Sequence, residues 1–380
     1  MFICDALGGI LVLFLPHSRN MAANPTQKYG DLVISSYTSD DIAHPSGDPH
    51  AYEWWYFDAL SDDGSEAVVV RFMQNSVYSR RYNSRLNLGR SEAVAEAPST
   101  TPSVFFAYYR DGKPVCIFLN EYSSDAFRAG SESPECVIGE CSMRFESAEY
   151  GSGFSILINS PLARGRFVEA HLEWLSVESD LLSPPGADEQ NVHRWNVVCP
   201  RSDVTGRITV FDKDHPDGDA FHFRGTGYHD HISDSRWLPA AISERHWGRA
   251  HFSDRTAVFG MFAEVGRPDP VRVLIIVRDG EAKIMPAVMK NEIYVRDKFG
   301  IRYPAHFSLT ADDGTSLSVN TVRLLESHFY QLRTFSEMSL DTPGSGHRET
   351  MAMSEILAPK TLQYRWLDWL TNLRTSRRTQ

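Results

Sequence analysis

Two Asp-Gly dipeptides constrain this chain more than any other feature. Asp111-Gly112 joins the run SVFFAYYR to KPVCIFL, and Asp279-Gly280 joins RVLIIVR to EAKIMPA. Asp-Gly supplies the positive φ angles of a two-residue turn, so each pair predicts an antiparallel hairpin. Short apolar runs predict further strands over Ala67 to Met73, Phe154 to Asn159, Phe167 to Trp174, Arg207 to Phe211, Ala257 to Glu264 and Leu317 to Leu324. Asp62-Asp63-Gly64 and Asp313-Gly314 supply turns between them. Helical periodicity is confined to Thr361 to Leu373, where Leu362, Trp366, Trp369, Leu370 and Leu373 share a face, and to Pro239 to Glu244. Many closely spaced strands predict an all-β chain of sandwiches or barrels rather than a doubly wound sheet.

The 380 residues accommodate two such units. Ser183 to Gln190 and Asp212 to Asp219 are polar stretches carrying Pro or Gly, and the division is expected at the second. Residues 1–24 form a poorly ordered or targeting-like segment, 25–216 the first β unit and 217–380 a run of strands of barrel-like length. Ala6 to Leu15 is apolar, but Asp5 precedes it without a basic residue, and it is too short to span a bilayer. A cytoplasmic protein is expected, with secretion left open and no stable membrane insertion.

A net charge of −11 and a pI near 5.7 argue against nucleic acid as a partner. The cluster Arg374, Arg377 and Arg378 reads as a solvated end. Five cysteines lack a CxxC pair and read as reduced thiols, with Cys136 and Cys141 close enough in sequence to close a short loop under oxidising conditions.

Two stretches are dense in reactive side chains. In Ala51-Tyr52-Glu53-Trp54-Trp55-Tyr56-Phe57-Asp58-Ala59, strand alternation puts Glu53, Trp55 and Phe57 on one face and Trp54, Tyr56 and Asp58 on the other. These faces suit an aromatic layer between sheets, or a pocket wall in which a carboxylate among rings has a raised pKa. In Gly225-Thr226-Gly227-Tyr228-His229-Asp230-His231, the two histidines share a face. With His222 and His246 as neighbours they raise the question of zinc, but the spacing supplies no third ligand and no metal is expected. The GxSxG elbow, the P-loop and a dinucleotide fingerprint between strand and helix are absent from the sequence.

Glu53-Trp54-Trp55-Tyr56-Phe57-Asp58, Gly225-x-Gly227-Tyr228-His229-Asp230-His231 and Trp247-Gly248-Arg249 together resemble the hydroxyneurosporene synthase-like superfamily, which contains bacterial carotenoid hydratases and fungal Diels-Alderases. The length and N-terminus resemble the Diels-Alderases of polyketide-peptide biosynthesis. That resemblance implies an N-terminal β-sandwich, a C-terminal lipocalin-like barrel, a substrate pocket between them and no cofactor. It implies cyclisation of a polyketide-derived small molecule and a functional link to a polyketide synthase fused to a peptide synthetase. Glu53, Tyr228 and Lys360 are the implied catalytic residues, Lys360 as donor to a carbonyl. Trp55, Tyr56, Asp58, Asn87, Asp230, Trp237 and Trp247 are the implied substrate contacts. Ile232-Ser233-Asp234 replaces the Asn-Trp-Gly of hydratase-like relatives, which implies a remodelled loop. A hydratase, with Asp58 or Asp230 as acid, and a carrier without chemistry are the alternatives.

Overall fold

The structure is a computed structural model describing residues 27–88, 100–149, 151–182, 192–364 and 377–378. The first strands are β1 (Gln27–Tyr29), β2 (Leu32–Ser35), β3 (Tyr52–Ser61) and β4 (Glu66–Met73), followed by helix α1 (Arg80–Leu88). Then come β5 (Ser103–Arg110), β6 (Lys113–Glu121), β7 (Phe127–Ala129), β8 (Glu135–Ile138), β9 (Cys141–Ala148), β10 (Gly151–Pro161), β11 (Phe167–Glu178), β12 (His193–Phe211) and β13 (Asp219–Asp234). A short helix, α2 (Leu238–Ala241), leads to β14 (Ile242–His251), β15 (Thr256–Glu264), β16 (Val271–Arg278), β17 (Glu281–Arg296), β18 (Arg302–Ala311), β19 (Ser316–Ser327), β20 (Gln331–Thr342) and β21 (Gly346–Leu357). The pair Arg377–Arg378 forms β22.

Every strand expected from the sequence is present, and most are longer than their apolar runs. Both Asp-Gly turns have positive φ at both residues, 52° and 71° at Asp111 and Gly112, 55° and 78° at Asp279 and Gly280. That geometry matches the right-handed twist of the strands they join.

β14 to β21 close into an eight-stranded antiparallel barrel. The other strands form one sheet in the order β22-β6-β5-β4-β3-β13-β12-β11-β10-β9-β8-β7, with β2 beside β12 and β1 beside β2. The sheet folds over its own core as an open half-barrel. Trp55 and Phe57 of β3, Val70 of β4 and Phe106 of β5 pack in one cluster with Ile156, Leu172, Trp174 and Ile208 from β10 to β12. The expected sandwich is therefore two halves of a continuous sheet.

Alternation sorts the barrel in the same way. Ala257, Phe259 and Met261 point inward to Phe307, Leu317 and Leu340, filling the barrel's interior. Val258 and Phe262 point outward and pack on Trp54, Tyr56, Trp195 and Tyr228 of the sheet. Burial of these alternate rows, at roughly 25 cal/mol per Å² of apolar surface, is what joins sheet and barrel.

The expected division at residue 216 falls inside the first sheet. Asp212 to Asp219 is a hairpin loop, and β13 beyond it pairs with both β12 and β3. The passage to the barrel lies between Asp234 and Ile242, through α2. Pro239 to Glu244 gives only the single turn of α2, because Ile242 onward joins the barrel wall. At the end of the chain a 3-10 turn covers Pro359–Gln363. The rest of the expected C-terminal helix, residues 1–24 and Ser183 to Gln190 lie outside the described residues. Cys116, Cys136, Cys141 and Cys199 are buried free thiols, and burial pushes Cys116 up to about 12. Among the described residues no helix is long and apolar enough to cross a membrane.

Candidate active site

β3 and β13 run antiparallel in a register that sets Asp58 opposite Tyr228, Tyr56 opposite Asp230 and Trp55 opposite His231. The Gly225-x-Gly227 motif permits this close fit. A Cβ at Gly225 would stand 1.9 Å from the Leu60 carbonyl, and one at Gly227 2.4 Å from Trp174 Nε1.

On the barrel side, two Tyr-x-Asp units therefore lie head to tail. Tyr56 donates to Asp58 and Tyr228 to Asp230, each at 3.0 Å. Asp58 also receives Arg249 of β14, Nε at 2.8 Å and Nη2 at 2.6 Å, a buried charge-assisted pair. Asp230 Oδ2 instead receives Trp195 Nε1 at 2.8 Å, and its closest cation, Arg245, stands 3.8 Å away. Burial is the dominant influence on Asp230 and raises its pKa, against the opposing pull of Arg245, Trp195 and Tyr228. Arg245 lies over the rings of Trp54, Trp195, Trp247 and Phe262 at 5.4–5.9 Å. Trp247 stacks on Tyr228 at 5.2 Å and meets Tyr56 edge-on at 5.0 Å. Among the described residues, Asp230 Oδ1, Arg245 Nε and Nη2, and Trp247 Nε1 have no hydrogen-bond partner. Buried polar atoms are nearly always paired, so this concentration marks a place built for something else.

A second polar layer flanks the first. Arg71 of β4 grips Glu355 of β21 at 2.9 and 3.0 Å, and Arg333 of β20 binds both Glu355 and Glu326. Burial alone would raise the Glu355 carboxyl, but the charges of Arg71 and Arg333 outweigh it and hold it at about 2. The Arg333 guanidinium lies 5.1 Å over Phe105. Phe105, with Ile117, Leu119 and His328, lines a cleft of about 700 Å³ whose walls include Arg164 and Arg166.

The opposite face of β3 has a different character. Trp55 stacks on His231 at 4.6 Å and Phe57 on His229 at 3.8 Å. His231 bridges two carboxylates, Asp41 at 3.2 Å and Glu53 at 2.9 Å. Burial would depress the imidazolium, but the two carboxylates beside it outweigh that and raise His231 to about 10. Burial would raise Glu53, but His231 and His44 hold it down to about 2.

The expected site residues thus separate. Tyr56, Asp58, Tyr228, Asp230 and Trp247 meet between sheet and barrel. Glu53 and Trp55 lie on the other face, because the two-residue strand period that unites Tyr56 with Asp58 excludes them. Trp237 is half-buried and donates to Asn83 Oδ1 at 3.0 Å, beside the same aromatic cluster. Lys360 is exposed: the turn directs Pro359 and Leu362 inward and leaves the lysine in solvent. Asn87 lies in the last turn of α1, and its side chain is outside the described residues. His222 is exposed near the far end of β13. His246 points into the barrel between Phe259 and Phe307, each at 5.1 Å. Neither therefore joins His229 and His231.

Sequence reasoning missed Arg245, which stands one turn of alternation before the quoted Trp247 and Arg249, and it missed Trp195. It also missed Asp41 and His44, which precede β3 in a stretch without periodicity.

A half-barrel sheet packed on a closed barrel, with a buried aromatic and carboxylate layer between, defines the class of molecule. The chain belongs to the carotenoid hydratase CrtC family, whose profile matches residues 179–380, more than half its length. It is similar to hydroxyneurosporene dehydrogenase of Chlorobaculum tepidum, with 26% identity over 367 residues, covering 91% of this chain and 92% of that protein. An AttH-type protein of Nitrosomonas europaea superposes with a TM-score of 0.56 at 12% identity, over 84% of this chain and 95% of that one. CghA bound to Sch210972 superposes with a TM-score of 0.54 at 12% identity, over 82% and 89%. The two structures share the fold, and membership of the family places the chain among enzymes.

Proposed function

We propose that this protein adds water across an alkene of an acyclic isoprenoid polyene, with Asp230 as general acid. The observation that carries the reading is Asp230 itself: a buried carboxyl with a raised pKa, one oxygen unpaired among the described residues, and Trp195 and Tyr228 bonded to the other. A carboxyl whose pKa is raised by burial holds its proton to higher pH than an ordinary aspartate and can give it to carbon. The Asp230 proton moves to one alkene carbon, the π pair forms the C–H bond, and a tertiary cation remains. The Asp230 carboxylate left behind and the aromatic rings of the layer stabilise that cation. Water then forms the C–O bond and returns a proton to the Asp230 carboxylate, so the net change is one water added. The cleft beside Phe105 has an apolar wall of Phe105, Ile117, Phe118 and Leu119 and a charged rim of Arg164, Arg166, Asp212, Lys213 and Asp214, which suits a chain with a polar end. Asp58, fixed by Arg249, orients Tyr56 and holds the frame. The names of the family and of the Chlorobaculum relative support a carotenoid as substrate class.

A second reading uses the same layer. The N–H groups of Arg245 and Trp247 that are unpaired among the described residues suit a carbonyl, and a hydrogen bond there activates a dienophile. Aromatic walls that fold a tethered polyene into a near-attack geometry lower the barrier by several kcal/mol, toward the roughly 7–11 kcal/mol of ideal intramolecular systems. This is the intramolecular Diels-Alderase acting on a polyketide-amino acid hybrid, the partner of a polyketide synthase-peptide synthetase. The filled barrel interior gives the carrier reading no lumen to use.

Product mass tests the assignment. Purified protein incubated with an acyclic carotenoid is expected to give a product heavier by one water, lost in Asp230→Asn. A product of unchanged mass from a polyene carrying an activated alkene favours the cyclase. Ligand returned unchanged in both assays removes both readings.

A further inference from the structure

On the face of β3 and β13 turned away from the barrel, three side chains that the proposed chemistry does not use converge. His44 Nδ1 lies 3.0 Å and His231 Nε2 2.9 Å from the same oxygen, Glu53 Oε1. All three ligand atoms lie within 4.8 Å of one another. Zinc bonds of about 2.0–2.1 Å hold tetrahedral ligands roughly 3.3 Å apart, so each nitrogen needs to move only a few tenths of an ångström from Glu53 Oε1, and the two nitrogens, within 4.8 Å of each other, need to adjust to the same spacing to receive an ion.

The outer contacts supply an independent observation. Histidines that bind metal almost always engage a carboxylate, carbonyl or water through their other ring nitrogen, which fixes tautomer and ring orientation. Both histidines here face a carboxylate, His44 at hydrogen-bond distance and His231 in an ion-pair contact. His231 Nδ1 lies 3.2 Å from Asp41 Oδ1, and His44 Nε2 lies 3.3 Å from Asp40 Oδ1. Asp41 is in turn held by His229 Nε2 at 2.9 Å, and the His231 ring is clamped on Trp55. Asp40, Asp41 and Glu53 bring three carboxylates to the charge of a divalent cation.

Access comes from one side. His44 and Glu53 line a cavity of about 480 Å³ with Gly47, Asp48, Gln74 and Ser233, and the His44 side chain is 29% exposed.

We propose that His44, Glu53 and His231 form a binding site for a zinc-class divalent cation, with the fourth position open to that cavity. Two imidazoles, one carboxylate and an open position match the donor set and geometry of zinc sites that keep an exchangeable ligand. The ion displaces the hydrogen bonds that converge on Glu53 Oε1 and locks the segment before β3 to β13. The site stands apart from Asp230, so its failure leaves the proposed reaction untouched.

The test uses the full chain without a histidine tag, stripped with chelator and dialysed. Co2+ titration is read by visible d–d bands and Zn2+ uptake by equilibrium dialysis with elemental analysis. One equivalent is expected to bind. Asp41→Asn weakens the affinity about 10–100-fold, as loss of an outer carboxylate does, and His44→Ala and Glu53→Gln weaken it further. His222→Ala, on an exposed histidine of β13, leaves affinity unchanged. Thermal melts confirm that each variant is folded, and partly exposed His44 makes His44→Ala the least disruptive. No stoichiometric uptake by the wild type, or uptake undiminished in both His44→Ala and Glu53→Gln, overturns the proposal.

Discussion

The two Tyr-x-Asp units of β3 and β13 share sequence pattern, register and burial, yet their carboxylates differ in the partner each receives. Asp58 meets the Arg249 guanidinium through two nitrogens. Asp230 meets an indole N–H and a guanidinium 3.8 Å away, and one of its oxygens has no partner among the described residues. Nearly identical local sequence can thus give an ion-paired carboxylate in one place and, on the proposed function, a proton donor in the other. The barrel decides which, by presenting Arg249 to one unit and Arg245, turned over aromatic rings, to the other.

Four experiments break or sharpen this contrast, beginning with the largest effect. Asp230→Asn keeps the shape of the side chain and removes its proton. Turnover is expected to fall about 10²–10⁴-fold, the usual contribution of a general acid, with little change in the thermal melt. The pH profile has a defined sign: the working form is protonated, so turnover declines as pH rises through the elevated Asp230 pKa. Asp58→Asn does the reverse, leaving Arg249 buried without its anion. About 3–5 kcal/mol of stability is expected to be lost, measured by denaturant unfolding; an unchanged midpoint contradicts a structural Asp58.

The third experiment concerns acid stability. Glu355 is held at about 2 in the folded chain, below the 4.5 of an ordinary glutamate. Its contribution is fully present above about 4.5 and is lost as pH falls toward 2, when the folded state must take up the proton. Unfolding midpoints between these values are expected to drop with pH, and Glu355→Gln should flatten that limb at a cost in stability at neutral pH. The smallest effect comes from the barrel interior. His246 is held down to about 3 by burial alone, and neither ring nitrogen has a partner among the described residues. Its folded pKa lies below the unfolded 6.5, so stability declines as pH falls from 6.5 toward 3. His246→Phe is expected to remove that decline and to stabilise the protein by about 1–2 kcal/mol, because an unsatisfied buried group is replaced by an apolar one.

Local chemistry was legible in the sequence. The Asp-Gly turns, the strands and the alternation of Glu53-Trp54-Trp55-Tyr56-Phe57-Asp58 follow from turn geometry and a two-residue period, which neighbours in sequence determine. The division between units was not legible, since the polar loop Asp212 to Asp219 reads equally as linker or hairpin until β13 is seen to pair with β3. The resemblance pointed to Lys360, but burial of Pro359 and Leu362 turns it outward. Strand alternation already put Glu53 and Asp58 on opposite faces, and it was the resemblance that joined them in one pocket; the register of β3 and β13 keeps them apart. Arg245 and Trp195 became visible only through the packing of β14 and β12 on the same layer, a contact between residues 50 apart that no local pattern encodes.

One measurement bears most directly on the central claim. Wild type and Asp230→Asn, both shown to be folded, are incubated with an acyclic carotenoid in ¹⁸O-labelled water, and the products are weighed by mass spectrometry. The account predicts a product carrying one labelled oxygen from the wild type and, at most, a trace of it from Asp230→Asn. Equal labelled product from both proteins would contradict the role of Asp230, and a wild-type product without the label would contradict hydration itself.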